Sequence, residues 1–355
     1  MRETRCTLQH RWRKQWFILL DVLAIGLAAE GGFRFLLERQ LARYAATLGP
    51  IVHPDPNPDI LYGFIPGVTT NDGQIRINSQ GYRDAEFPTA EARARMFLVL
   101  NLGDSVTFGG RVRLEETYPK RLEQQLNADA GSSNVRVLNA GVPGYNTQQE
   151  LAVLRQLGRQ YSPDLVLLGW VLNDADSAYN VYDKGSAVTN MYPLRGPSGI
   201  TLRTLLYQSR LLLFLKDQAD AFQRHFPQLF PDSRFYINFR MHRPEWQRMK
   251  EALLAIATVA REHGSELMVI LFPFDVQLLR GTTPPQDDVA RFLRAHGVHV
   301  LDVFPAFAAH KDETLFVPDG IHLTAIGHQI VAGAIFNAMV AQGLVPATNS
   351  LVRTP

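Results

Sequence analysis

The stretch from residue 97 to residue 109 reads Phe-Leu-Val-Leu-Asn-Leu-Gly-Asp-Ser-Val-Thr-Phe-Gly. Its first six residues form a nearly continuous apolar run, which is typical of a strand buried on both faces, as in a parallel sheet. The run ends at Gly103, and Ser105 follows where a helix would begin. A serine in this position exposes its hydroxyl at the strand end and has the positive end of a helix dipole behind it.

The alternation of strand and helix continues along the chain. Further apolar runs lie at Val135–Leu138, Leu165–Val171, Leu267–Phe272 and Val298–Val303. Helical periodicity occurs at Tyr118–Asn127, Thr147–Gln160, Glu245–His263, Asp287–His296 and Ala325–Val340. This order predicts an α/β fold, a doubly wound, flavodoxin-like three-layer arrangement around a mainly parallel sheet of about five strands. Because such sheets bind ligands beyond the carboxyl ends of their strands, we expect the functional residues directly after these runs.

Three of the runs are followed by residues of the kinds that take part in catalysis. The triplet Gly-Asp-Ser at residues 103–105 ends the first run, although the same triplet also occurs in structural turns. The second run ends in the loop Asn139–Thr147, whose glycines either let backbone amides approach a ligand or simply form a turn. After the third run comes Asn173, whose amide could donate to an oxyanion or cap the next helix.

The most distinctive pair lies near the C-terminus, where residues 319–324 read Asp-Gly-Ile-His-Leu-Thr. The carboxylate of Asp319, three residues before His322, can accept a hydrogen bond from the ring Nδ1, which leaves Nε2 available as a base. A capping aspartate beside a surface histidine would produce the same pattern. Another histidine, His328, is expected to face outward or to pack on the last helix.

Together, these four blocks resemble the SGNH (GDSL) hydrolase family over about residues 96–340. That family contributes a serine, a glycine, an asparagine and an Asp-x-x-His pair from successive blocks. The resemblance implies that Ser105 is the nucleophile, that His322 is the general base and that Asp319 orients the histidine.

The resemblance also implies an oxyanion hole built from the Ser105 amide, the Gly144 amide and the Asn173 side chain. The chain departs from the family in the third block, which commonly reads Gly-x-Asn-Asp, because Val171 stands two residues before Asn173. Neither a metal nor an organic cofactor is implied.

The function implied by the resemblance is that of a serine esterase, which hydrolyses carboxylic esters with short acyl groups through an acyl-serine intermediate. The expected substrate is a small-molecule or polysaccharide ester. An O-acetyltransferase or deacetylase acting on a cell-surface polysaccharide would use the same residues, because only the acyl acceptor differs. The third alternative is a catalytically silent binding module, but such a protein has no need for an Asp-x-x-His pair beside a Gly-Asp-Ser.

The composition excludes several classes of protein. Hydrophobic residues make up 46% of the 355 residues and charged residues 20%, which is typical of a folded chain and excludes a disordered one. The only cysteine is Cys6, so neither a disulfide framework nor a cysteine-based metal site is possible. The net charge is +2, and because the first 14 residues carry +4, the rest of the chain carries −2. A near-neutral body gives no electrostatic reason to expect nucleic acid as a partner.

Residues 1–44 predict attachment to a membrane. Five basic residues within the first 14 positions precede an apolar run from Trp16 to Ala29 that only Asp21 interrupts. Basic residues before such a run predict a single-pass signal anchor in the inner (cytoplasmic) membrane, with the catalytic domain on the outer, periplasmic side. A cleaved secretory signal or a buried amphipathic helix would fit the same pattern.

Two further segments accompany the catalytic domain, which is predicted at residues 96–345. Residues 45–95 contain Pro54, Pro56 and Pro58, which predict an extended linker and entry segment because proline and the residue before it resist helix formation. Residues 175–244 interrupt the α/β rhythm and predict a helical insertion. This insertion could form a cap over the active site, a surface that lies against the membrane or a second helical layer on the sheet.

Overall fold

The computed structural model of the chain describes residues 16–17, 20–36, 39, 51–130, 135–175, 180–183, 187–190, 209, 211–212, 215, 218, 222, 241 and 244–345. The chain divides into two compact units. One comprises Met1–Thr47 with Met191–His225, and the other comprises Leu48–Asn190 with Phe226–Pro355. The second unit contains every residue of the predicted active site.

A parallel sheet forms the centre of the second unit. The described strands are β1 (Val52–Pro54), β2 (Tyr62–Phe64), β3 (Phe97–Gly103), β4 (Val135–Gly141), β5 (Leu165–Trp170), β6 (Asn180–Asp183), β7 (Ala187–Asn190), β8 (Glu266–Leu271) and β9 (His299–Asp302). Five of them make one parallel sheet in the spatial order β4-β3-β5-β8-β9, and β1–β2 and β6–β7 form two antiparallel pairs. The predicted five-stranded parallel sheet is therefore confirmed.

The apolar run of β3 forms a strand because both of its faces are covered. In β3, Leu98, Val99, Leu100 and Leu102 each expose at most 1% of their surface. One strand is longer than predicted, since β4 continues past its apolar run to Gly141. The extension holds a buried polar residue, Asn139, which is tolerated because its amide nitrogen donates to the Thr107 carbonyl at 3.1 Å and its amide oxygen accepts from the Gly141 N–H at 3.1 Å.

Helices cover the sheet. They are α1 (Ala90–Arg93), α2 (Ser105–Phe108), α3 (Tyr118–Ala130), α4 (Thr147–Tyr161), α5 (Pro244–Glu262), α6 (Asp275–Arg280), α7 (Pro284–Ala295), α8 (Phe304–Ala309) and α9 (Ala325–Ala341). Helix α3 packs against α9, and α4 packs against α5. Right-handed crossovers between parallel strands in this order place the two pairs on opposite faces, which gives the predicted three layers.

The strand order determines where a ligand site can form. From β3 the chain moves to β4 on one side of the sheet and then crosses to β5 on the other side of β3. A doubly wound sheet opens a crevice at such a reversal, beyond the carboxyl ends of the two diverging strands. Ser105 follows β3 and Asn173 follows β5, so both lie at this position.

Residues 51–95 differ from the extended linker that their prolines predict. They pack into the second unit, and Ile51, Tyr62, Phe64 and Ile77 are buried in its core. The prolines are accommodated because Pro54 ends the short strand β1 and the other two lie in the turn region before β2. Burial of these apolar and aromatic side chains outweighs the extended preference of the proline run.

The N-terminal unit is described in part. Residues 20–36 are helical, and large apolar side chains there, among them Leu23, Ile25 and Leu27, are exposed over more than half of their surface. Among the residues that the structure describes, no helix combines the length and the apolar character that crossing a membrane requires. Most of the insertion predicted at residues 175–244 lies outside the described residues.

Candidate active site

Ser105, His322 and Asp319 form one hydrogen-bonded chain. Ser105 is the first residue of α2, directly beyond β3, and the other two lie in the loop before α9. The Ser105 Oγ is 2.8 Å from the His322 Nε2, and the His322 Nδ1 is 2.7 Å from the Asp319 Oδ2. The fold thus brings together residues that are 217 positions apart, in the arrangement that a nucleophile, a base and an orienting acid require.

The position of the serine depends on a tight turn between strand and helix. Gly103 has a φ of +152°, and a Cβ atom there would lie only 2.1 Å from the Thr107 Oγ1. The next residue, Asp104, caps α2 by accepting the Val106 N–H at 2.8 Å. Because the chain turns this sharply, Ser105 stands at the end of the strand with its hydroxyl directed at His322.

The histidine loop is shaped by one carboxylate. The Asp319 Oδ1 accepts the backbone N–H groups of Ile321 at 3.0 Å and His322 at 2.9 Å, which leaves Oδ2 for the imidazole ring. Partial burial by itself would raise the pKa of Asp319, but the hydrogen bonds from the His322 ring and the two backbone groups outweigh it and lower the pKa to about 2. An ionised carboxylate can only accept, so Nδ1 carries the proton and the unprotonated Nε2 faces the serine.

The side chain and the amide predicted to bind an oxyanion lie on either side of Ser105. Asn173 sits in the short 3₁₀ turn Leu172–Ala175 after β5, and its Nδ2 donates to the Asp104 Oδ2 at 2.9 Å. A primary amide has two N–H groups, so this bond leaves a second one for a substrate oxygen. Gly144 lies in the loop after β4, on the other side of the central strand.

Asp104 is a residue whose role the sequence did not reveal. It is completely buried, and its carboxylate binds the Asn173 amide, the Val106 N–H and, at 3.4 Å, the Ser105 hydroxyl. Burial raises its pKa, and these hydrogen bonds act in the opposite direction. The triplet at residues 103–105 places Asp104 beside Ser105 in the sequence. Only the folded chain shows that Asp104 also binds Asn173, which follows a different strand.

Arg83 supports α2, the helix that begins with Ser105, from outside the predicted blocks. Its buried guanidinium donates to the carbonyls of Phe108 at 2.9 Å, Gly109 at 2.6 Å and Val112 at 2.7 Å. These carbonyls lie at and just beyond the C-terminal end of α2, where a cation is favourable. The sequence predicted only a linker and entry segment around Arg83.

His328 lies on α9, the last helix. The prediction that it faces outward or packs on this helix is wrong. Its side chain is buried, with 1% exposed, and its Nδ1 accepts the backbone N–H of Tyr118 at 3.1 Å. Tyr118 is the first residue of α3, so the histidine satisfies one of the unpaired N–H groups at the start of that helix. Burial, followed by the positive charges of Arg83 and Arg121, lowers the pKa of His328 to about 3.

This buried histidine makes folding stability depend on pH. A histidine in the unfolded chain binds a proton below pH 6.5, whereas folded His328 stays neutral to about pH 3. Stability therefore falls as the pH drops through this window, by up to about 1.4 kcal/mol per pH unit. We expect His328→Gln, which keeps an acceptor but does not titrate, to flatten this slope in urea unfolding from about pH 6.5 to about pH 4. Equal slopes in the two proteins would contradict the prediction.

Comparison with known proteins identifies similar chains. Residues 102–330, more than half of the chain, match the GDSL-like Lipase/Acylhydrolase family. A protein named arylesterase from Vibrio mimicus is 29% identical over 154 residues, which covers 42% of this chain and 75% of that protein. The crystal structure of a psychrotrophic esterase from Pseudoalteromonas sp. aligns with a TM-score of 0.42 and 13% identity, over 69% of this chain and 98% of its own. A catalytic mutant of an acetylxylan esterase from Geobacillus stearothermophilus aligns with a TM-score of 0.42 and 14% identity, over 73% of this chain and 97% of its own.

Proposed function

The chain belongs to the GDSL-like lipase/acylhydrolase family, and from that premise we propose that it is a serine esterase that hydrolyses carboxylic esters with short acyl groups through an acyl-serine intermediate. The observation that carries the proposal is the unbroken chain of hydrogen bonds from Asp319 through His322 to Ser105. It supplies a nucleophile with a base already in contact and an acid that fixes the orientation of that base.

In the first half of the reaction, the Ser105 Oγ attacks the ester carbonyl while the His322 Nε2 takes the hydroxyl proton. The carbonyl π electrons move to the oxygen, and the Ser105 amide, the Gly144 amide and the Asn173 side chain donate hydrogen bonds to it. Each such donor contributes about 3 kcal/mol to the stability of the transition state. The intermediate then collapses, the bond to the alcohol oxygen breaks, and His322 returns the proton to the leaving alkoxide.

In the second half, water replaces the alcohol. His322 removes a proton from water, which attacks the acyl carbonyl on Ser105, and the acid leaves as the proton returns to the serine oxygen. Throughout, the carboxylate of Asp319 stabilises the protonated imidazole that forms in each half. Its low pKa suits this role, because the group stays ionised when the histidine gains its proton.

The proposal is tested with aryl esters of increasing acyl length, because the relative from Vibrio mimicus is named an arylesterase. We expect the full-length chain to hydrolyse the acetate and butyrate esters with the highest kcat/KM. The assay is run with and without an oligosaccharide acceptor, since an O-acetyltransferase would need that acceptor for turnover. Turnover that requires the sugar would favour the transferase, and a folded protein that turns over no ester in either assay would favour a binding module.

We also propose that the N-terminal segment attaches the enzyme to the cytoplasmic membrane, with the catalytic unit on its outer side. Two observations support this: the basic residues that precede the apolar run, and the exposure of large apolar side chains at residues 20–36. Lipid would cover that apolar surface.

We expect detergent, but not high salt, to release the full-length chain from membranes, and a variant without residues 1–44 to be soluble and active. Equal solubility of the two chains would contradict the proposal.

A further inference from the structure

The loop that carries Gly144 is a β-turn of a defined type. It spans Val142 to Tyr145 and is closed by the Tyr145 N–H, which donates to the Val142 carbonyl at 3.2 Å. Pro143 occupies its second position, and Gly144, with a φ of +81°, its third. Proline followed by a residue with positive φ is the signature of a type II turn.

The turn type determines where the Gly144 N–H points. Between type I and type II turns, the central peptide, here Pro143–Gly144, rotates by about half a turn, so its C=O and N–H exchange directions. The φ that proline imposes suits both turns, and glycine accepts either sign of φ. A contact beyond the turn itself therefore helps to hold an oxyanion donor at this position in one orientation.

Tyr62 supplies that contact. Its hydroxyl donates to the Pro143 carbonyl at 2.6 Å. The described residues contain no cis peptide bond, and in a planar trans peptide the C=O and N–H point in opposite directions. The bond from Tyr62 therefore directs the Gly144 N–H away from the tyrosine and stabilises the type II form of the turn.

Tyr62 is itself held firmly. Only 1% of its surface is exposed, and its ring lies edge-to-face against that of Tyr145, with centroids 5.2 Å apart. The Tyr145 hydroxyl donates to the Tyr62 carbonyl, which closes a reciprocal pair between strand β2 and the turn. The start of β2 is fixed further by Gln149 of α4, whose side chain donates to the Ile60 carbonyl at 2.8 Å.

We propose that Tyr62 is a positioning residue for the oxyanion hole, whose hydroxyl keeps the Gly144 N–H directed at the oxygen that becomes negative in the transition state. The inference rests on the proposed function and adds to it a residue outside the matched segment 102–330. The β1–β2 hairpin thereby becomes part of the catalytic apparatus. A hydrogen bond to the peptide carbonyl also polarises the peptide, which strengthens its N–H as a donor.

The test is the full-length chain with Tyr62→Phe, which removes one oxygen atom and keeps the ring in its packing site. Complete loss of an oxyanion donor costs about 100-fold to 1,000-fold in kcat, so loss of its alignment is expected to cost about tenfold. Because this donor acts mainly in the transition state, we expect KM to change by less than about twofold. A boronic acid, which forms a tetrahedral adduct on the serine, is expected to bind about tenfold more weakly.

Ser265→Ala is the matched control. The Ser265 hydroxyl also donates to a proline carbonyl, that of Pro163, at 2.6 Å, but it lies just before β8, at the edge of the sheet opposite the active site. We expect its removal to lower thermal stability about as much as Tyr62→Phe does, while kcat and boronic acid binding stay within about twofold of the original chain.

Two results would overturn the inference and leave the esterase assignment standing: a kcat for Tyr62→Phe within about twofold of the original, or equal losses of kcat in both variants. Either would show that the hydroxyl serves only to attach the hairpin. Failure of the proposed function has a different signature, since the unmodified chain would then show no turnover that depends on Ser105.

Discussion

Ser105→Ala is expected to lower kcat for aryl acetate hydrolysis by roughly 10⁶-fold. Removing the nucleophile of a serine–histidine–aspartate triad leaves only substrate binding and oxyanion stabilisation to accelerate the reaction. In the structure, the Ser105 Oγ lies 2.8 Å from the His322 Nε2, at the start of the helix after β3. Alanine keeps the backbone N–H that is proposed to bind the oxyanion, so KM is expected to change little. The measurement is steady-state kinetics on the full-length chain, with melting temperature as a check on folding.

A serine elsewhere in the same unit provides the control. Ser79 is exposed, and its hydroxyl donates to the Glu86 carboxylate. We expect Ser79→Ala to keep kcat within about twofold of the original chain. If Ser105→Ala retained a substantial part of the activity, Ser105 would not be the nucleophile.

His322→Ala is expected to be about as severe as loss of the serine, whereas Asp319→Ala should lower kcat by only roughly 10⁴-fold. In the proposed mechanism, the histidine moves the proton in both halves of the reaction. The aspartate acts through the histidine by holding its ring and stabilising its charge, so its removal leaves a misoriented base and not a missing one.

The comparison of the two variants tests the order of the hydrogen-bonded chain. A third variant, His310→Ala, controls for the loss of a histidine, since His310 is exposed and its ring bonds the Ala306 carbonyl of the helix that precedes it. It is expected to retain kcat within about twofold. Equal losses of kcat for His322→Ala and Asp319→Ala would contradict the distinct roles assigned to these residues.

Much of the fold could be predicted from the sequence because its signals are local. The apolar run of β3 shows burial on both faces, and the same signal recurs at the other four strands of the sheet. Once the sheet is parallel, the residues after the strands must meet at one edge, which is how Ser105 and Asn173 were placed. The pairing of Asp319 with His322 is also local, since the two are three positions apart.

The features that were not predicted depend on partners far away in the chain. Tyr62 and Pro143 are 81 positions apart, and Asp104 and Asn173 are 69 apart. Nothing near Tyr62 in the sequence indicates that its hydroxyl has a carbonyl partner beside the active site. The proline run was read as a linker for the same reason, because the aromatic and apolar side chains that bury this segment find their partners only in the folded unit.

The proposed acyl-serine intermediate can be tested for directly. The full-length chain is mixed with an aryl acetate, and the reaction is quenched in acid within the first turnover. The protein is then digested, and the masses of the peptides are measured by mass spectrometry. We predict one acetyl group on the peptide that contains Ser105, and no acetylated peptide from Ser105→Ala. Steady hydrolysis with no acetyl group on Ser105, or with the acetyl group on another residue, would contradict the mechanism.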